Sequence, residues 1–448
     1  MQKKILTVWM LCAVGYAQAQ ERQFVIDSEN LPVVTLMDVI AEGLEKNYSI
    51  LLARNSEQES SNNATYGNAG MLPSVTLNGT VTPSIANSNM HYFADQNRPD
   101  QNRTGAKSSN MNVNVALNWT VFDGLSMFAN YNRLKELEKM GEENLRAEIQ
   151  LTVSSIINAY FDIVSQQQQI AALQHILTIS RQRMYSANDL FQGGKVSKVD
   201  LLSAQVDYNA DTASYIQQVG ELRNAKIRLN KLLTRDIIAD FAASDSIVID
   251  QTLNYGKIHD KAVAENPDVT LLRMSVNVSS FQLKAIQGER YPQVRLTSSY
   301  TMTDQKNGTG MIETQKSQTF NYGVTASVPL FNGLNISRRI KNAQLEKEAA
   351  DLRYEEIQKE IEAKVATAFS AYDVNRKLAA FEADNLKLAA ENLDISIQRY
   401  KFGAISAIEL RDVQRSYINS TNRMIVAVFN AKVAETALKL LTGEVMKL

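Results

Sequence analysis

The sequence predicts a mainly α-helical chain that also carries membrane β-strands, built as two structural repeats, each a β-hairpin plus long helices. Three observations predict this: a repeat at an offset of 209 residues, two long tracts without proline, and four segments whose polarity alternates with a period of two. The repeat is plain in the residues. Gly194-Lys-Val-Ser197-Lys-Val-Asp200-Leu-Leu-Ser-Ala-Gln205 returns as Gly403-Ala-Ile-Ser406-Ala-Ile-Glu409-Leu-Arg-Asp-Val-Gln414. At the same offset, Val121-Phe122-Asp123-Gly124 returns as Leu330-Phe331-Asn332-Gly333, and Leu229-Asn-Lys-Leu232 as Leu438-Lys-Leu-Leu441. A period this long means two copies of one large unit rather than a solenoid of short ones.

In chain order, residues 1–19 read as a secretory signal peptide. Lys3 and Lys4 form its charged start, Ile5 to Val14 its apolar run, and Ala17-Gln18-Ala19 a small-residue cleavage site. The apolar run is about half the ~20 residues that a membrane-spanning helix needs. Cys12, the chain's one cysteine, falls inside this segment, and Trp9-Met10-Leu11 before it lacks the small residues that precede a lipid-accepting cysteine. The expectation is an exported, non-lipidated chain with no disulfide framework and no thiolate metal site. The net charge of -1 gives no reason to expect nucleic acid as a partner. No later segment is apolar for long enough to cross a membrane as a helix, so membrane insertion must use strands.

Each repeat reads helix, strand, loop, strand, long helix, turn, helix. The first covers 20–234, with strands near 73–83 and 109–122 and a helical hairpin over 124–234. In Met111-Asn-Val113-Asn-Val115-Ala-Leu117-Asn-Trp119-Thr-Val121 one face is apolar and the other mostly Asn. Alternation over about ten residues is the pattern of a transmembrane β-strand, although a half-buried soluble sheet alternates too. Long polar loops (Ser84 to Ser108, and Asp304 to Ser317) favour the membrane reading, as does Trp119 on the apolar face near a strand end, where an aromatic girdle sits.

All seven prolines lie outside residues 100–266 and 330–448, so both tracts are free of a residue that costs a helix interior about 3 kcal/mol. Ile149, Val153, Ile156, Tyr160 and Ile163 step by four and three, the seam of a left-handed coiled coil, and Ile357, Ile361, Val365, Ala368 and Tyr372 form a similar stripe. Glycines at 193, 194 and 403 mark the turns. Residues 235–257, with a short apolar strand expected at Ile247-Val-Ile249, connect the repeats. The second repeat, 258–448, has strands near 291–303 and 318–331 and a helical hairpin over 333–443.

Four strands cannot close a membrane barrel, since closed ones start at about eight, and an open edge in lipid leaves backbone groups unpaired. The chain must therefore oligomerise, and a wet lumen favours three copies or more over two.

The whole mature chain resembles the TolC-like outer-membrane efflux proteins. The resemblance is carried by Thr35-Leu36 through Asn47, by Phe122-Asp-Gly124 and Phe331-Asn-Gly333, by the two Gly-x-x-Ser-x-x-acid turns, and by Leu440-Leu-Thr442-Gly443. It implies a homotrimer whose 12-stranded β-barrel in the outer membrane continues as a periplasmic α-helical barrel. It also implies a periplasmic adaptor and an inner-membrane transporter as partners, with outer-membrane lipid around the strands. Substrates would leave through the lumen of this channel-tunnel, serving efflux or type I secretion.

The same resemblance places a gate at the helical turns. Ser197/Asp200 and Ser406/Glu409 fit capping boxes, with Gly194 and Gly403 reversing the chain, so Asp200 and Glu409 serve capping, gating or both. Asp412 has no capping explanation and lies on the face of Glu409. By resemblance, Glu409 and Asp412 match acidic rings that constrict the tube, and three copies would place six carboxylates around the axis, attracting cations. Tyr400 and Asp200 match partners of an interhelical latch. Ile405 stands where TolC carries a latch arginine and Val199 where it carries a threonine, so the expected tie is packing plus a Tyr400–Asp200 bond.

No phosphate loop, His-Glu-x-x-His or Gly-x-Ser-x-Gly motif is present, and the three histidines are far apart, so neither an enzyme nor a cofactor or metal site is expected. The alternative from another class is a trimeric outer-membrane anchor or adhesin with a helical stalk. Such an anchor would gather its strands at one terminus, whereas here nearly 170 residues separate two hairpins.

Overall fold

The computed structural model describes residues 31–91 and 99–446. The expectations for residues 1–19 (signal peptide, cleavage, absence of lipid on Cys12) lie outside the described residues, as do residues 92–98 of the first outer loop. In chain order the elements are β1 (Val33–Val34), α1 (Leu36–Lys46), α2 (Tyr48–Asn63), β2 (Ser74–Met90), β3 (Gln101–Asp123), α3 (Ser126–Gln192) and α4 (Lys198–Leu233). There follow β4 (Ala242–Ala243), α5 (Tyr255–Glu265), α6 (Pro267–Gly288), β5 (Gln293–Lys306), β6 (Thr314–Ser327), α7 (Asn335–Lys401) and α8 (Ala407–Leu441). The two proline-free tracts each hold one helix of 67 residues followed by a shorter one. No described helix is long and apolar enough to cross a membrane.

These elements form two compact units, each drawing on both repeats. One comprises Leu52–Ala147 and Pro267–Glu360 and holds both hairpins. Its four strands make one antiparallel sheet in the order β2-β3-β5-β6, so the two hairpins lie side by side and the edges β2 and β6 are open. The register sorts the side chains cleanly. Val75, Leu77 and Val81 share a face with Met111, Val115, Leu117 and Trp119, then with Leu296, Tyr300 and Met302, and finally with Phe320, Tyr322 and Val324. The opposite face is polar, with Arg295 near one end and a central lattice of neutral groups: Asn78 and Thr80, Asn112 and Asn114, Thr301 and Thr303, Ser317 and Thr319. Asn114 Nδ2 donates to Thr301 Oγ1 at 2.7 Å, and Thr303 Oγ1 to Asn112 Oδ1 at 2.6 Å. Both faces of the sheet are open in the single chain, and on the apolar one Leu77 is 71% and Tyr322 81% exposed. Each such side chain left in water forgoes about 1.5–3 kcal/mol of burial, so this face needs an apolar medium.

The strands run further than the alternation predicted. β2 extends to Met90 and β3 begins at Gln101, so most of the expected Ser84–Ser108 loop is ladder; the second hairpin likewise spans Gln293–Lys306 and Thr314–Ser327. Beyond the apolar band both faces are Ser-, Asn- and Gln-rich. Backbone pairing persists there while the polarity signal disappears. β6 stops at Ser327 rather than 331, two residues before Pro329, which cannot donate to a ladder. At the strand-to-helix corner, Gly124 has φ +70° and a Cβ there would lie 2.1 Å from the Gly288 carbonyl oxygen, so only glycine permits the approach.

The other unit comprises the described residues of Met1–Leu51 together with Glu148–Asn266 and Ile361–Leu448. Its core contains the predicted seam: Val153, Ile156, Tyr160 and Ile163 are fully buried, packed with Leu229, Leu233 and Phe241. Ile361, Val365 and Tyr372 of the second stripe are buried as well. The expected strand at Ile247–Ile249 is absent. The strand of this segment is instead β4, which pairs in parallel with β1. Asn230 Nδ2 explains the displacement in part, because it donates to the carbonyls of Ile237 and Ala239 at 3.2 and 2.8 Å and fixes the chain just before β4. Residues 248–250 find side chains rather than a ladder. Lys432 Nζ donates to the Val248 carbonyl at 3.0 Å, and the Asp250 amide donates to buried Glu435 at 2.9 Å. Backbone polar groups need partners, and here the partners come from α8.

Candidate functional site

The two helical turns are built identically. The Lys195 amide donates to the Leu190 carbonyl and the Ala404 amide to the Arg399 carbonyl, each at 2.8 Å, which closes α3 and α7 in the same six-residue reversal. That reversal needs a left-handed residue. Gly194 and Gly403 supply it, with φ +67° and +69°. The next helices start in capping boxes. The Asp200 amide donates to Ser197 Oγ at 3.2 Å and the Ser197 amide returns to Asp200 Oδ2 at 3.1 Å. At the second turn the matching distances are 3.2 Å for Glu409 to Ser406 Oγ and 2.7 Å for Ser406 to Glu409 Oε2.

The predicted gate residues are placed as follows. Asp200 and Glu409 are both exposed, with their carboxylates held in the caps. Asp412 is exposed, and its carboxylate lies 4.0 Å from Arg415. Tyr400 is half-buried in an apolar cluster built on Ile176, Leu393 and Leu410, which Ile405 also joins. Among the described residues no hydrogen bond joins Tyr400 to Asp200.

An ionic cluster that the sequence reading did not single out lies in the same unit. Arg411 on α8 grips Asp211 on α4 with two hydrogen bonds of 2.8 Å each, and its Nε lies 3.5 Å from Asp207. Asp207 also pairs with Arg183 of α3, and Ser180 donates to Asp211. Arg183 reaches the Ala407 carbonyl at 3.5 Å. These side chains are largely sequestered: Arg183 is 3% exposed, Asp211 12% and Arg411 14%. Burial pulls the Arg411 guanidinium down, but the hydrogen bonds and charge of Asp211, with the charge of Asp207, outweigh it and hold the group above its usual range. The cluster therefore ties α3 and α4 of the first repeat to α8 of the second. The tie expected here was packing plus a Tyr400–Asp200 bond; the packing is present, that bond is not, and the ionic contact is made by Arg411 instead.

Among the described residues no group of three or more His, Cys, Asp or Glu could hold a metal ion. One unit therefore holds paired hairpins with one apolar face, and the other holds two reversing helical pairs with charged turns. The outer membrane efflux protein family matches residues 39–235 and 258–444, one match for each repeat. Outer membrane efflux protein BepC of Brucella suis biovar 1 is 24% identical over 346 residues, covering 74% of this chain and 72% of that one. Cation efflux system protein CusC of Escherichia coli O157:H7 is 23% identical over 448 residues, covering 95% and 88%. The crystal structure of the Campylobacter jejuni CmeC outer membrane channel superposes with a TM-score of 0.77 at 16% identity, covering 92% of this chain and 86% of that one. The chain belongs to the outer membrane efflux protein family.

Proposed function

We propose that three copies of this chain form the outer-membrane channel-tunnel of a tripartite efflux or type I secretion system. The observation that carries the reading is the sheet. It has one exposed apolar face, one polar face rich in Asn and Thr, and two open edges. Because β2 and β6 run in opposite directions, β6 of one copy can pair antiparallel with β2 of the next. Three copies close twelve strands with the Asn/Thr face inside, which supports a wet lumen. The helices continue this channel as a periplasmic tube. An adaptor and an inner-membrane transporter engage the helical turns, beside which Val199, Phe402 and Ile408 stand 70%, 86% and 76% exposed. The chain enters the export pathway on a cleaved signal peptide and carries no lipid.

The turns form the gate. In the closed state the Arg411–Asp211–Asp207–Arg183 cluster and the Tyr400 apolar cluster hold the two helical pairs of each chain together, while Glu409 and Asp412 face the axis as acidic rings. Opening requires the pairs to part, which breaks the ionic tie. Purified protein in a planar bilayer tests the reading, combined with a native mass measurement. Single-channel conductance from a species of three chains is expected; a monomer without conductance refutes it. Glu409→Ala with Asp412→Ala should relieve block by divalent cations, and unchanged block removes the rings from the mechanism.

A further inference from the structure

We propose that the outer rim of the strand sheet carries a binding site for anionic, phosphate-bearing lipid headgroups, formed by Lys107, Lys306 and Lys316. The inference rests on the membrane reading above and adds a ligand to it.

The register places all three lysines on the apolar face. Lys107 lies opposite Ile85, Lys306 opposite Ser109, and Lys316 opposite Asp304, itself opposite Met111. They descend diagonally across β3, β5 and β6, each one strand over and two residues lower than the last. All three are exposed. From Trp119 up to Val113, this face of the four strands holds no charged residue, so its charges are confined to the hairpin ends. Among the described strand residues the one acid on this face is Asp304, whose carboxylate lies 3.5 Å from Lys316. Neither Lys107 nor Lys306 has an ion-pair partner among the described residues.

The height of the stripe fits an interface. Trp119 marks the other border, with its indole N–H held by the Met71 carbonyl at 2.9 Å. Lys316, Lys306 and Lys107 stand level with residues eight, ten and twelve positions from it along β3. With about 3.4 Å per residue and strands tilted by about 40°, they rise roughly 21, 26 and 31 Å above it. A hydrocarbon layer is about 30 Å thick on average and thinner in outer membranes. The Lys306 and Lys107 ammonium groups therefore meet the headgroup layer, and Lys316, set a few ångströms lower, reaches it by extending its stem along the apolar surface; the apolar side chains below them accept acyl chains. Three cations against one carboxylate, at that depth, select a phosphate headgroup of net negative charge over a zwitterionic one.

The test uses the purified full chain in detergent, equilibrated with phosphatidic acid or phosphatidylcholine, with co-eluting lipid quantified by mass spectrometry. Wild type should retain phosphatidic acid selectively. Replacing Lys107→Gln, Lys306→Gln and Lys316→Gln together should weaken retention about a hundredfold, and each single change about fivefold; the three Arg replacements should preserve it. Equal retention by wild type and the Gln variants overturns the proposal. Displacement of the lipid by millimolar inorganic phosphate also overturns it, by making the site one for a free anion. If the triple variant does not fold, the single variants decide. Bilayer conductance of the same preparations judges the channel reading separately: the Gln variants should conduct as wild type does, and a non-conducting wild type defeats the channel reading alone.

Discussion

Arg411→Ala isolates the ionic tie between the repeats. The substitution removes two 2.8 Å hydrogen bonds to Asp211 and leaves that carboxylate, 12% exposed, with Ser180 as its remaining side-chain donor. Removing one partner of a buried ion pair costs about 3–5 kcal/mol, whereas an exposed pair is worth about 0.2–1 kcal/mol. With both groups mostly but not wholly buried, the lower end of the buried range applies, about 3 kcal/mol per chain. If the tie exists only in the closed arrangement, that energy shifts each chain's closed-to-open ratio by about 150-fold. Single-channel recording in a planar bilayer should therefore show a large gain in open dwell time. Asp211→Ala should give a similar gain, and the double variant little more, because both remove the same interaction. Arg411→Lys should fall between, since it keeps the charge and loses the two-pronged grip. A lowered melting temperature with unchanged dwell times would refute the gating argument and leave the cluster a purely structural role.

Three further outcomes follow from the geometry. Val115→Lys places a charge on the apolar face and should cost about 2–4 kcal/mol per chain near mid-membrane, abolishing heat-modifiable oligomers on a gel; Asn114→Lys, one residue away on the polar face, should assemble and shift the reversal potential towards anions. Gly124→Ala would bring a Cβ to 2.1 Å from the Gly288 oxygen at a left-handed φ, costing roughly 2–6 kcal/mol, and thermal melts should show it, while Gly79→Ala meets nothing within 4 Å and should be neutral. Burial, and after it the hydrogen bond to Asp245, push the Tyr160 phenol up to about 12. An acid raised above its free value of about 10 stabilises the fold fully below that pH and loses the contribution as pH climbs towards 12. Melts across this window should show the loss, and Tyr160→Phe should abolish it at a cost of about 1.5–3 kcal/mol.

What the sequence disclosed and what it withheld divide along a physical line. Periodicity reported every place where one side of an element meets a different medium from the other: the seam at Val153, Ile156 and Tyr160, and the band from Met111 to Trp119. It said nothing of residues 84–90 and 101–108, where the ladder runs on but both faces are polar enough to erase the alternation. It misplaced the connecting strand because Lys432 and Glu435, far along the chain, satisfy the backbone that would have formed it. The ionic cluster escaped for a different reason. Comparing the repeats directs attention to what they share, and a tie between them is built from what they do not. At the 209-residue offset Asp207 and Asp211 correspond to Ser416 and Ser420, while Arg411 corresponds to Leu202 and Arg183 to Asn392. Two like copies presenting the same charge to each other would repel, so a link between them requires that one copy carry the acids where the other has none. The asymmetry was therefore written in the sequence as four mismatches. Only the fold shows that three helices bring them to a single point.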